Sequence, residues 1–207
     1  VLRPRRASRG EILFGRGDAF TELFVVAVGR VKVGLTGRDG REQILSIATA
    51  GTTIGEVPLD EPPGRARYVV AATALEDAVV WAIPRRDLEA LLEASPAFAR
   101  ALLSVVARRV RALVELVEEV TLHGVPERLA AFLFAHARRE GADGASPFAI
   151  VRSLAVETVA GRLGTVREEV QRALRLLADE KIIELSRREI VVVDLARLER
   201  ASWEPLR

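Results

Sequence analysis

The sequence predicts an α+β chain: a β-rich N-terminal part, one long helix, and a helical C-terminal part closed by a β-hairpin. Three observations predict it. Up to about residue 90, short β-branched and aromatic runs alternate with Gly and Pro turn signals. From Ser95-Pro96 to about Leu122 there is a run with no Gly or Pro. Beyond Gly124, amphipathic helical segments precede two strand-like runs. With 207 residues, 49% hydrophobic and 29% charged, the chain has the composition of a globular protein and the length for one or two buried cores.

The N-terminal strands are expected at Leu23 to Val28, Val31 to Leu35, Gln43 to Ile47, Tyr68 to Ala72 and Val79 to Ile83. Between them lie Gly15-Arg16-Gly17-Asp18, Gly29, Gly37-Arg38-Asp39-Gly40, Gly51 and Pro62-Pro63-Gly64. Many short strands at this spacing form a small sandwich or barrel. Ser95 is then a helix N-cap and Pro96 the first helical residue, where its missing N–H costs nothing. Along the following helix Leu102, Val106, Val110, Leu113, Val117 and Val120 recur every three or four residues, close to a coiled-coil seam. Such a stripe serves either a second copy of the chain or the helix's own domain. Gly124-Val125-Pro126 breaks the helix. A further helix is expected over Glu127 to Arg139, ended by Gly141-Ala142-Asp143-Gly144, then a short strand over Phe148 to Arg152. Two helices follow, then strands Ile182 to Leu185 and Ile190 to Val193 joined by Ser186-Arg187-Arg188-Glu189. Three helices and a β-hairpin in that order make a winged helix-turn-helix.

The stretch Val156 to Leu174 carries the most specific signal. Its first helix buries Val159, Ala160 and Leu163, and Gly164 ends it in the left-handed conformation. Thr165 is expected to cap the next helix, with Glu168 as its capping-box partner. Val166, Val170, Ala173, Leu174 and Leu177 then form a buried face, leaving Arg167, Glu168, Gln171, Arg172 and Arg175 largely outside it. Arginine donates two hydrogen bonds to guanine O6 and N7, and glutamate accepts one from cytosine N4. Residues one turn apart at the start of such a helix reach base edges in one major groove. A solvated charged face accounts for any one of these residues but poorly for all of them together.

Composition excludes much else. No cysteine is present, which removes disulfides, thiolate nucleophiles, iron–sulfur clusters and cysteine-bound zinc. His123 and His136 have no metal-ligand spacing. No nucleophile–base pair, phosphate loop or metal cluster points to an enzyme. No apolar run nears the roughly 18 residues of a membrane span, and Val1-Leu2-Arg3-Pro4-Arg5-Arg6 lacks a signal peptide's apolar stretch, so a cytoplasmic protein is expected, with no membrane partner. Net charge is only +2, so clustering of basic residues matters more than their total.

Over nearly its whole length the sequence resembles the cyclic AMP receptor/FNR superfamily of bacterial transcription regulators. Gly10-Glu11-Ile12-Leu13-Phe14-Gly15-Arg16-Gly17-Asp18, Leu23-Phe24-Val25-Val26 and Gly29-Arg30-Val31-Lys32-Val33 resemble the opening strands of that family's β-roll, a cupin-like sandwich. The resemblance implies a β-roll sensing domain (1–95), a dimerisation helix (96–122) and a winged helix-turn-helix domain (123–207). It also implies a homodimer on double-stranded, palindromic DNA, with RNA polymerase as a further partner. Arg167, Glu168 and Arg172 match the base-reading residues of members that recognise TGTGA-like half-sites, with Thr165 and Gln171 beside them.

For the effector, Gly55-Glu56 and Arg65-Ala66 resemble the cyclic-nucleotide cassette. There the Glu takes the ribose hydroxyl, and the Arg with an adjacent Ser takes the phosphate. Ala66 stands in place of that Ser, and Leu113 and Val114 stand where an adenine-contacting Thr-Ser pair is found. These departures leave cyclic AMP bound differently, another small anionic ligand, and no ligand all open, with Glu56 and Arg65 then an internal ion pair. A haem relative needs an axial ligand in the sensing domain, and His123 and His136 both lie beyond it, so neither haem nor an iron–sulfur cluster is expected. The competing reading is a ligand-sensing module whose C-terminal domain binds protein instead of DNA.

Overall fold

The computed structural model describes residues 2–139, 141, 147–151, 155–186 and 189–203. They form two compact units: residues 1–36 with 44–115, and residues 37–43 with 116–207.

The first unit begins with β1 (Arg3–Ala7), β2 (Ile12–Phe14), β3 (Glu22–Val28), β4 (Val31–Thr36), β5 (Glu42–Ala48) and β6 (Thr53–Ile54). A 3-10 turn (Val57–Asp60), β7 (Ala71–Ala74), β8 (Ala78–Pro84) and helix α1 (Arg85–Ala94) follow. Two four-stranded sheets, β1-β8-β3-β6 and β2-β7-β4-β5, share one core. Alternating residues supply it: Leu23, Phe24 and Val26 with Val80 and Ala82 from one sheet, Val31 and Val33 with Ala72 and Ala74 from the other. The expected sandwich is therefore present.

The strand assignments differ from expectation in places, the two-residue β6 among them. Tyr68 to Val70 precede β7: the Tyr68 backbone bonds to Gly17 and Asp18 in the turn after β2, and its ring stacks on Phe14, with centroids 3.9 Å apart. The arginine-rich β1 reads poorly as a strand, yet it pairs antiparallel with β8 from Arg3↔Ala82 to Ala7↔Ala78. Its burial alternates weakly, and the ladder to β8, not its composition, makes it a strand.

Helix α2 (Pro96–Leu122) matches its expected limits. The Ser95 hydroxyl accepts from the Phe98 N–H at 3.2 Å, and the Ser95 carbonyl accepts from Ala99 N–H, as a cap should. Of the expected stripe only Leu102 is buried. Val106, Val110, Leu113 and Val117 are exposed, as are Leu103 and Val114 beside them.

The second unit contains α3 (Val125–Arg139), β9 (Phe148–Val151), α4 (Val156–Arg162), α5 (Arg167–Asp179), β10 (Ile183–Leu185), β11 (Glu189–Val192) and α6 (Leu195–Arg200). Leu129, Leu133, Leu163, Val170, Leu177, Ile183, Val192 and Leu198 anchor its core. The sheet β10-β11-β9 is antiparallel. Helical structure is interrupted at His123 and Gly124, and Pro126 sits inside the first turn of α3. Arg128, one turn in, is buried; burial lowers its pKa, and Glu119 and Glu127 oppose that shift. Arg152, the loop residues 142–146, and Arg187 and Arg188 of the expected wing tip lie outside the described residues. Helix α6 has no strong sequence signal beyond Asp194, whose carboxylate caps it by accepting from the Arg197 N–H at 2.8 Å.

Candidate DNA-reading face and effector cassette

Helix α4 ends as its glycine predicts. Gly164 has φ +62°, the Thr165 N–H donates to Ala160 O at 2.9 Å and the Gly164 N–H donates to Gly161 O at 3.4 Å. This pair of bonds is a Schellman end, which satisfies two otherwise orphaned carbonyls. The next helix starts later than expected. Its N-cap is Val166, with extended backbone and no side-chain cap, so Thr165 does not cap α5 and forms no capping box with Glu168. The physical reason is register: Val166 occupies the cap position, so Thr165 sits one residue too early, and its amide, already closing α4, leaves no N–H for Glu168. Val166 also lies outside the expected buried face, being 36% exposed, because it precedes the first helical turn.

From Arg167 onward α5 is amphipathic as read. Val170, Ala173, Leu174 and Leu177 are buried. Arg167, Glu168 and Arg172 are exposed, and Thr165 and Gln171 are half-buried. The two arginines have carboxylate partners that the sequence reading missed. Arg167 Nη1 donates to Glu157 Oε1 of α4 at 3.1 Å, and Arg172 Nη1 donates to Glu169 Oε1 at 2.7 Å. The second pair was legible as an i,i+3 spacing; the first needed the turn geometry.

In the first unit, Gly55 has φ +91°, and a Cβ there would meet Tyr68 Cε1 at 3.0 Å and Phe14 Cε1 at 3.5 Å. Only glycine fits both the backbone and the stacked rings. That close approach sets Glu56 at the start of the 3-10 turn, 2% exposed. Glu56 does not pair with Arg65. Arg109 of α2 forms the ion pair with its Oε1 and also donates to the Thr53 carbonyl. Arg65 is exposed and, among the described residues, has no side-chain partner; Ala66 is buried.

Both Glu56 oxygens and the Thr53 hydroxyl are sealed from solvent without a hydrogen-bond partner of good geometry. Burial raises the Glu56 pKa, and Arg109 offsets part of that rise. Sealed, under-satisfied oxygens suit a hydroxyl donor, whereas Ala66 offers a phosphate no hydrogen bond from its side chain. Sequence reading missed Arg109. The available signal was its place four residues before Leu113, on the helix stretch associated with the cassette.

Among the described residues no single helix is long and apolar enough to cross a membrane; only α1 and α2 together pass that test, across a 114° bend. No cluster of metal-ligating side chains occurs among them.

Known families match both units. Residues 4–95 match the cyclic nucleotide-binding domain, and residues 127–201 match the Crp-like helix-turn-helix domain. The chain belongs to the CRP/FNR family of transcription regulators. It is 29% identical over 199 residues to a CRP-like cAMP-activated global transcriptional regulator of Mycobacterium tuberculosis, covering 96% of this chain and 88% of that protein. It is 29% identical over 195 residues to the cyclic AMP receptor protein of Thermus thermophilus, covering 94% and 86%. The structure of FixK2 from Bradyrhizobium japonicum shares the fold, with TM-score 0.78, 24% identity and coverage of 99% and 98%. The regulator is thus a non-enzymatic, DNA-binding transcription factor with a sensory domain of the cyclic nucleotide-binding type.

Proposed function

We propose that the regulator binds a palindromic operator with TGTGA-like half-sites as a homodimer in the cytoplasm, acting with RNA polymerase. In this reading residues 1–95 sense, 96–122 dimerise and 123–207 bind DNA. Arg167, Glu168 and Arg172 read bases, and Thr165 and Gln171 flank them. The observation that carries the reading is that these three readers all stand exposed at the start of α5 while its opposite face anchors the core. The exposed stripe Val106, Val110, Leu113 and Val117 on α2 supports the dimer, since none of the described residues buries it.

Anisotropy titrations against a palindrome with half-sites about one helical turn apart, and against a scrambled duplex, test the DNA reading. Arg172→Ala should cost about 1–3 kcal/mol on the palindrome and much less on scrambled DNA. Equal losses on both would remove its base-reading role. Val110→Asp with Leu113→Asp should sediment as a monomer and lose operator binding, because the seam would bury unpaired charge.

For the effector, the reading is a small anionic ligand, cyclic AMP being the first to test, with its phosphate at Arg65 and a hydroxyl at Glu56. Ligand and operator then strengthen each other's binding by one factor. The Glu56–Arg109 pair favours a second reading, in which the Glu56 charge is paired within the chain and the regulator binds DNA without ligand. Operator affinity with and without cyclic AMP separates the two: a ligand-dependent gain supports the first, and tight binding unchanged by the nucleotide supports the second.

A further inference from the structure

We infer that Glu157 is a positioning residue for base readout: from α4 it aims the Arg167 guanidinium and withholds it from non-specific phosphate contact. This rests on the reading above that Arg167 contacts a base. Arg167 is the first residue of α5 and Glu157 the second of α4, so the bond between them joins the two helices of the motif. The Schellman bonds from Thr165 and Gly164 fix the turn between those helices. The carboxylate is therefore presented from a framework that does not depend on where the arginine points.

The contact is single. One Glu157 oxygen takes one Arg167 nitrogen at 3.1 Å, and the remaining guanidinium N–H groups have no partner among the described residues. A guanidinium carries five N–H donors and guanine takes two, so the carboxylate and a base edge fit on it together. An arginine already held near its docked rotamer loses less entropy on binding. The carboxylate also repels the phosphate backbone on every sequence, and selectivity is a difference between affinities. Arg172 offers the contrast: its partner Glu169 is on its own helix and travels with it, so it gives no fixed reference.

The test uses the full-length protein and anisotropy on four duplexes that differ only at the base pair whose preference Arg167→Ala relaxes, plus a random duplex. Wild type, Glu157→Gln, Arg167→Ala and the double variant are compared. Glu157→Gln should lower discrimination at that base pair about three- to tenfold, strengthen binding to random DNA, and add nothing in the Arg167→Ala background. Its thermal unfolding should stay close to wild type, since both side chains are more than half exposed (56% and 63%). Unchanged discrimination, equal loss at all base pairs, or an effect that persists without Arg167 overturns the inference. If Arg167→Ala itself leaves every preference intact, the base-reading assignment fails first, and Glu157 with it.

Discussion

Glu56 in the sensory unit and Glu157 in the helix-turn-helix each face an arginine, but one pair is shut away from water and the other lies mostly in it. The Glu56 side chain is 1% exposed and its partner Arg109 23% exposed. Glu157 is 63% exposed and Arg167 56%. A charge taken from water is costly, and its partner chiefly cancels a penalty, so removing one member alone leaves that penalty in place. A charge left in water gains little from its partner, so removing it changes stability little and leaves recognition as the measurable role. On the reading proposed for Arg167, one kind of residue pair acts on folding in one unit and on selectivity in the other.

The largest way to break that comparison is Arg109→Leu. It strands the Glu56 carboxylate in the sandwich and should lower unfolding stability by about 3–5 kcal/mol, read from urea denaturation. The double change Arg109→Leu with Glu56→Leu should recover most of the loss, because no buried charge remains. A loss as small as that of a surface pair would mean that Glu56 is not sealed.

A second, gentler probe is pH. The folded-state pKa of Glu56 lies above its ordinary value of 4.5. Between those two values the folded state holds a proton that the unfolded chain has lost. Its stabilising contribution is therefore full below about 4.5 and is lost as pH rises through the raised folded value. The slope from this one group cannot exceed about 1.4 kcal/mol per pH unit. Subtracting the stability profile of Glu56→Gln from that of wild type should isolate a component that falls across this window. A flat difference would mean that Arg109 cancels the burial penalty entirely.

The smallest effect belongs to Glu169→Gln. The Arg172–Glu169 pair sits on one helix with Arg172 75% exposed, so stability should shift by no more than about 0.5 kcal/mol. A loss several times larger would show that exposure does not govern the worth of these pairs.

What the sequence made legible were features carried by neighbouring residues. Ser95-Pro96 marked the start of α2, the absence of Gly and Pro marked its length, and Gly164 marked the end of α4. The β-sandwich was visible in its alternating strands. The features that escaped depend on distant partners. Arg3–Ala7 becomes a strand only through its ladder to β8, and Glu56 was matched to the nearby Arg65 when its partner is on α2. Thr165 looked like a helix cap because caps are recognised by residue type, whereas the Schellman end of α4 extends through Thr165 and leaves Val166 at the cap position. On α5 the exposure of Arg167, Glu168 and Arg172 was legible from helical period, and the carboxylate partners of the two arginines only partly so.

The uncapped start of α5 has an evolutionary consequence. The bend into the recognition helix is held by main-chain bonds at Ala160, Gly161, Gly164 and Thr165, and no side chain of α5's first turn contributes a cap. The outward residues of that turn are therefore free to vary without moving the bend. If those residues read bases as proposed, operator preference can drift by single substitutions on an unchanged mount, and paralogues arising from this chain would part company in their targets before they differ in fold.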